Sequence, residues 1–352
     1  MRLSVGDKWL FAAGISLTAG AAVTHFVPCG SVAPFVVSGL ALAALAALVG
    51  RAVDGLGDRL GSGATGVVHA ALGNIPELFF GIFALRQGLV TVVQAALVGS
   101  ILANVLLVLG LAITAGGLKH GTQRFAAEGP RLVVLFLFLA VAVLIIPTIT
   151  ARLHLPAAHH EQALSYVAAI VLLTIFVLSV PASLRRAQHA EATPFDEARV
   201  WPLPIALGLL TVAAVGAAFV SDWFVAALDP ALTTLHISQT FAGLVIVAIA
   251  GNAVENVVGV QLALRNRMDY ALSVTLQSPV QIALAVTPAL VLLSGVLGGA
   301  HLTLVLPSLL VIALAMAAVT AVIVVFDGES TWLEGTCLIG LYVVIATAVW
   351  WG

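Results

Sequence analysis

Gly73-Asn74-Ile75-Pro76-Glu77 and Gly251-Asn252-Ala253-Val254-Glu255 are two copies of one motif, Gly-Asn-x-x-Glu, set 178 residues apart. Ser100, in the apolar block after the first copy, has its counterpart in Ser278 at the same offset. Both copies lie in long apolar stretches. A polar motif repeated inside apolar surroundings points to an internally duplicated membrane fold.

Composition supports that reading. The 352 residues are 61% hydrophobic and only 9% charged, with a mean hydropathy of +1.16. Soluble domains carry roughly 25% charged residues. The apolar residues come in continuous blocks of about 20, the length that crosses ~30 Å of hydrocarbon as a helix. Continuous rather than alternating blocks exclude a barrel. The chain is therefore expected to be an all-α polytopic membrane protein embedded in the lipid bilayer. A formal net charge of −2 offers no basic surface for nucleic acid. Cys29 and Cys337 are far apart and form no metal-spaced pair.

Eleven spans are predicted, near 9–27, 32–50, 63–85, 89–116, 131–149, 162–181, 202–220, 238–264, 270–294, 302–326 and 333–351. The first block follows Met1–Lys8 without a small-residue cleavage site and reads as a helix, not a leader. Allocating loop cations to sides puts 12 Lys and Arg on the N-terminal side and only Arg86 and Arg152 on the other. By the positive-inside rule the N-terminus is expected in the cytoplasm and the C-terminus outside. With no sizeable soluble segment, a compact prokaryotic-type protein of the plasma membrane is expected. The repeat offset then divides the chain. Residues 1–31 form an N-terminal transmembrane helix, 32–181 a first five-helix repeat, 182–201 a cytoplasmic linker and 202–352 a second repeat. Five is odd, so the second repeat enters the membrane upside down. Such inverted repeats place transport sites at their interface.

Among sixteen acidic residues, only Glu77 and Glu255 are expected well inside spans. A carboxylate at the bilayer centre costs about 3 kcal/mol on insertion scales. The bland account of one such residue is a protonated, hydrogen-bonded structural group. Two in the same motif, brought together by inverted repeats, point instead to a shared cation site. Protons and cation then compete for the same oxygens, which is the physical basis of exchange. Hard cations take oxygen ligands. Asn74 and Asn252 supply amides at i−3 from each glutamate, Ser100 and Ser278 hydroxyls, and Asn104 and Gln281 further amides. No cluster of soft Cys or His ligands accompanies them, against zinc or copper as cargo. Pro76 is expected to free the carbonyl of Leu72, and Pro279 that of Thr275. His69 reads as a packing histidine or a proton relay.

These residues resemble a known family. Residues 73–85 (GNIPELFFGIFAL) and 251–269 (GNAVENVVGVQLALRNRMD) are similar to the two alpha-repeats of the calcium/cation antiporter superfamily. The nearest branch is the proton/calcium exchangers, whose repeats read GNATEL and GNAAEH with a basic AL-K-N-K-MD tail. Residues 99–104 (GSILAN) resemble that branch's GSILSN, and 277–282 (QSPVQI) its GSxxQI. The resemblance implies calcium held by the repeat glutamates with Asn, Ser and Gln side chains, and exchanged against protons. It also implies a gating pair of helices at spans 2 and 7. Asn256 stands where the family has a histidine, Ile75-Pro76 where it has Ala-Thr, and Gln277 where it has glycine. Those departures keep sodium/proton exchange open as an alternative. His-Glu-x-x-His and Gly-x-Ser-x-Gly are absent, so no enzyme is expected. No cofactor is expected beyond the transported calcium or other cation and the protons. A tight carboxylate site also suits obligatory exchange better than a conducting channel.

Overall fold

The computed structural model describes residues 5–60, 72–189 and 203–351, with side chains at 6–53, 72–179, 203–252 and 257–351. In chain order the helices are α1 (Val5–Phe26), α2 (Val32–Leu60), α3 (Ile75–Arg86), α4 (Val90–His120), α5 (Glu128–Arg152) and α6 (Glu161–His189). They continue with α7 (Leu203–Leu235), α8 (Gln239–Gly251), α9 (Ala253–Leu264), α10 (Met268–Ser294), α11 (Ser308–Phe326) and α12 (Trp332–Trp350). Two short strands, β1 (Gln123–Arg124) and β2 (Glu329–Ser330), pair antiparallel.

Among the described residues, nine helices are long and apolar enough to cross a membrane: α1, α2, α4, α5, α6, α7, α10, α11 and α12. Each matches one of the eleven expected spans. The other two expected spans are the ones that carry the motifs, and neither is one long helix among the described residues. Residues 238–264 divide into α8 and α9. Of residues 63–85, those up to 71, His69 included, lie outside the described residues, and α3 begins only at Ile75. Most of the 182–201 linker lies outside them as well, although α6 continues to His189.

The chain folds as two compact units, Met1–Gln87 with Thr174–His236, and Gly88–Leu173 with Ile237–Gly352. Each draws on both sequence repeats. In the first unit α2 and α7 share the most extensive contact of any helix pair. Their seam is aromatic: Phe224 of α7 stacks on Phe35 of α2 with ring centroids 5.1 Å apart, and Phe80 of α3 lies against it at 5.9 Å. Asp7 of α1 pairs with Arg51 of α2 at 2.8 Å, which compensates a largely buried carboxylate. The apolar block of the seventh expected span ends near residue 220. The helix instead runs on through Asp222, Asp229 and Pro230 to Leu235. Asp222 and Asp229 are therefore helical rather than loop residues. Both are exposed, so their charges are not forced out of a polar environment.

The second unit is built around α4, the most buried of the nine long helices. Helix α8 crosses it at a point where both chains carry glycine. A Cβ added to Gly99 would meet the Leu244 carbonyl oxygen at 2.3 Å, and one on Gly243 would meet the Val92 oxygen at 2.5 Å. Only glycine allows two helical backbones this close, the device by which membrane helices gain packing without a hydrophobic drive. Residues 302–307, expected to open a span, are not helical. They form a buried extended segment whose backbone is satisfied by side chains of four helices. Leu302, Leu304 and Leu306 donate N–H to Ser294, Ser165 and Thr148. Thr148 donates to Leu304 O, and the Gln94 amide to Thr303 O and Val305 O. Irregular backbone at such depth is tolerated only where protein groups pair with it.

Candidate cation site

Both motifs interrupt helices, and they do so alike. Leu72 is helical, Gly73 and Asn74 form a turn, and α3 starts at Ile75. In the second copy α8 ends at Gly251, Asn252 forms a turn and α9 starts at Ala253. Asn74 has φ −98°, ψ 21° and Asn252 has φ −97°, ψ 23°. This is the sparsely populated bridge region, where turn and active-site residues sit. The surrounding residues differ (Ile-Pro after one, Ala-Val after the other), yet the two asparagines match within 2°. Gly-Asn itself sets the break.

The asparagines are thus N-caps, and each glutamate is the third residue of a new helix. Asn74 O accepts from Leu78 N at 3.1 Å, the first intrahelical bond of α3. This corrects the role of Pro76. It does not kink a continuous helix; it occupies the first turn, where a backbone N–H has no intrahelical acceptor anyway. Asp or Glu in a first helical turn faces the positive end of the helix dipole. Asn74 is buried and Glu77 half-buried, both in the first unit. The side chains of Glu255 and Asn256 lie outside the described residues.

In the second unit the polar residues converge. Asn252 donates its amide N–H to Ala248 O at 2.7 Å, which reinforces the break. Its Oδ1 accepts from Asn104 Nδ2 at 2.6 Å and from Ser278 Oγ at 3.4 Å. Asn104 Nδ2 also donates to Ser100 O at 3.0 Å and lies 3.5 Å from Ser278 Oγ. Asn104 and Ser100 come from the first repeat, and Asn252 and Ser278 from the second. One network therefore joins the two halves. Gln281 is buried one turn beyond Ser278 on α10. Asn104 has no polar counterpart at the repeat offset, since residue 282 is isoleucine, yet it is the centre of the cluster. Its Oδ1 is fully buried and has no hydrogen-bond partner among the described residues. A buried acceptor left unmatched costs about 1–3 kcal/mol, so such groups need an explanation.

The backbone around this cluster is irregular in a patterned way. Helix α4 opens into a π-turn at Ala103–Val108, and α10 into another at Ile282–Val286. At the repeat offset these coincide within one residue. Inside α10, Pro279 has no N–H to give Thr275 O. A third π-turn, Ala242–Val247, lies in α8 just before its break. Single π-turns within α-helices cluster at functional sites. The sequence offered no signal for them. Helix α9, which carries Glu255, is tied down at its far end. Gln123 Nε2 donates to Ala263 O at 3.0 Å, and Lys119 Nζ to Leu264 O at 3.0 Å. Cations at a helix C-terminus are favourable to its dipole.

Comparison with known proteins follows the same lines. The profile of the sodium/calcium exchanger protein family matches residues 30–184 and 205–351. The Ca(2+)/H(+) antiporter of Synechocystis sp. is 32% identical over 346 residues, covering 92% of each chain. The Ca(2+)/H(+) antiporter ChaA of Bacillus subtilis is 32% identical over 347 residues, 96% of each. Among solved structures, native YfkE superposes with a TM-score of 0.84 at 28% identity, over 97% of this chain and 100% of that one. The H+/Ca2+ exchanger CAX has a TM-score of 0.80 over 98% and 91%, and at 16% identity it speaks for the fold alone. Two matched helix breaks at the motifs, nine long apolar helices among the described residues and a family profile over most of the chain converge on one assignment: the chain belongs to the sodium/calcium exchanger family of membrane transporters, in its proton/calcium exchanger branch.

Proposed function

We propose that this protein is a secondary antiporter that exchanges calcium for protons, with Glu77 and Glu255 as the carboxylates that both ions contest. The observation that carries the proposal is the identical helix break at Asn74 and Asn252, which puts each glutamate in the first turn of a new helix. The antiport named for the relatives from Synechocystis and Bacillus supports calcium and protons as the pair. Asn74, Asn252, Ser100, Ser278, Asn104 and Gln281 supply neutral oxygens around the acids. The unmatched Asn104 Oδ1 supports this ligand set, because a hard cation takes such oxygens.

The mechanism follows from competition. With the site empty, two carboxylates in a poorly polar setting hold protons to relieve their mutual repulsion. A calcium ion relieves the same repulsion with its own charge and displaces the protons. Either ion discharges the site, and neither shares it with the other. Movement of a discharged site across the barrier therefore couples the two fluxes. In this proposal the N-terminus is cytoplasmic and the transporter extrudes calcium across the plasma membrane.

Everted membrane vesicles with an imposed proton gradient test it. Added calcium should release protons from wild-type vesicles, and Glu77→Gln and Glu255→Gln should each abolish that release while remaining membrane-inserted and monodisperse. Full exchange in either variant would remove the shared-site mechanism. The altered family positions Asn256 and Gln277 favour one rival, sodium/proton exchange. Proton release by sodium, with none by calcium, would establish that rival.

A further inference from the structure

The first unit contains a cleft of about 660 Å³ between α3 and α7 that none of the proposed cation ligands lines. Its walls are Phe79 and Phe83 of α3 and Val215 and Phe219 of α7, and its rim carries Arg86 and Asp222. Arg86 is nine residues beyond Glu77, which on a helix is ~180° around the axis. Phe79 and Phe83 share that far side. The cleft thus opens on the opposite face of α3 from the proposed ion ligand, so it is not a vestibule to it.

Three observations describe its occupant. First, the α7 wall from Ala214 to Asp222 is ~12 Å long. That is most of one ~15 Å leaflet of hydrocarbon. Second, the apolar walls are open to the surroundings: Phe219 is 60% and Val215 51% exposed. Third, the polar end sits at the level of an aromatic belt. Trp223 stacks on His25 at 5.4 Å, with Phe26 and Phe219 beside it. Tryptophan-rich belts mark the membrane–water boundary. Arg86 and Asp222 are both exposed there, and no ion pair or hydrogen bond joins them among the described residues. A cation and an anion that line one cleft without pairing complement a headgroup that carries both charges.

We propose that this cleft is a binding site for a phospholipid with a zwitterionic, amine-bearing headgroup of the phosphatidylethanolamine type. Arg86 takes the phosphate and Asp222 the ammonium. One acyl chain runs down the channel between Phe79, Phe83, Val215 and Phe219. The small methyl-free ammonium can donate hydrogen bonds to the Asp222 carboxylate, which a choline headgroup cannot.

Native mass spectrometry of the full-length protein, delipidated in detergent and titrated with defined lipids, reads this directly. Wild type should retain phosphatidylethanolamine in preference to phosphatidylcholine and phosphatidylglycerol. Arg86→Gln should weaken retention of phosphatidylethanolamine about five-fold, the equivalent of ~1 kcal/mol for one basic contact at the membrane surface. Asp222→Asn should lose the preference over phosphatidylglycerol while still holding phosphate. Equal retention of all three lipids, a wild-type preference for the anionic lipid, or no change in Arg86→Gln would each overturn the proposal. So would oligomeric species that dissociate in Arg86→Gln regardless of lipid, which would assign the cleft to a second copy of the chain. Each variant is first checked for a single symmetric elution peak; should Arg86→Gln fail that check, Arg86→Lys, which keeps the charge and loses the fork, is expected to keep the preference for phosphatidylethanolamine with weaker retention of it, and undiminished retention would count against the site.

Discussion

Asn104→Leu isolates the network at the centre of the second unit. Leucine matches asparagine closely enough in size to keep α4 packed but removes both amide atoms. Ser100 O loses one donor and keeps the backbone N–H of Ala103. Asn252 Oδ1 loses its 2.6 Å bond and keeps only the 3.4 Å contact from Ser278. Two buried hydrogen bonds are thus broken and one acceptor left poorly matched, a cost of about 1–3 kcal/mol that loss of the unmatched Asn104 Oδ1 partly offsets. If Asn104 holds the cation or orients a residue that does, calcium affinity should fall 10- to 100-fold, the usual effect of removing a supporting partner at a metal site. That range is ~1.4–2.8 kcal/mol of binding free energy, separate from the stability cost. The half-saturating calcium concentration for proton release in everted vesicles should rise by that factor. The saturated rate should change much less, because the lost interaction serves binding rather than movement. A lower melting temperature with an unchanged calcium half-saturation would refute the reasoning, for the network would then be helix packing and nothing more.

Three further outcomes follow from the packing. Gly99→Ala places a Cβ 2.3 Å from Leu244 O and 2.6 Å from its Cα, so α8 must shift away from α4; overpacking of about 1–3 kcal/mol and at least a ten-fold loss of calcium-dependent proton release are expected, and wild-type exchange would show that the crossing tolerates displacement. Thr148→Val strips a buried hydroxyl that both accepts from Leu306 N and donates to Leu304 O; it should cost about 2–4 kcal/mol and lower the thermal midpoint in detergent by roughly 3–6 °C, with calcium affinity preserved. Pro76→Ala should leave exchange within about two-fold and stability within about 1 kcal/mol, because a first-turn residue needs no intrahelical acceptor for its N–H; loss of exchange would mean that proline, not Gly-Asn, makes the break.

The long apolar blocks made most spans legible, because bilayer crossing demands length and composition above all. What was hidden follows from the same dominance of composition. Residues 238–264 read as one helix since 17 of the 27 are apolar and no proline interrupts them. The break was written only in Gly251-Asn252, a stop-and-cap pair that also suits close packing. Residues 302–307 are equally apolar and look like the start of a span. Their punctuation was Gly298 and Gly299, with φ of +71° and +103°, and Pro307 at the cap of α11. What holds them extended is mostly remote in sequence: Gln94, Thr148 and Ser165, with Ser294 nearer by. The reverse error occurred in α7, where Asp222, Asp229 and Pro230 look like a loop. A helix leaving hydrocarbon can carry exposed acids at little cost, so charge ended the apolar block without ending the helix. Repeat symmetry found the paired motifs and serines. It undervalued Asn104, whose importance comes from a contact across repeats that no internal offset encodes.

The interrupted helix gives the glutamates a different energetic position from acids in a continuous span. At the centre of an unbroken membrane helix a carboxylate faces a cost of about 3 kcal/mol with no local compensation. In the first turn of a new helix it gains the favourable dipole interaction, typically 0.3–1 kcal/mol and up to ~2 when partly buried. That offsets part of the cost and leaves a remainder of about 1–3 kcal/mol. A full offset would make a permanently charged, stably occupied group with little reason to bind a proton. With no offset the group would stay protonated and never release it. A partial one leaves each acid in need of a discharging ion without fixing which ion that is. The matched backbone of Asn74 and Asn252 builds this condition twice, at the two positions where the repeats carry their acids. In the proposed mechanism exchange therefore rests on the break as much as on the glutamate, and a chain that kept both carboxylates on uninterrupted helices is expected to bind protons and hold them.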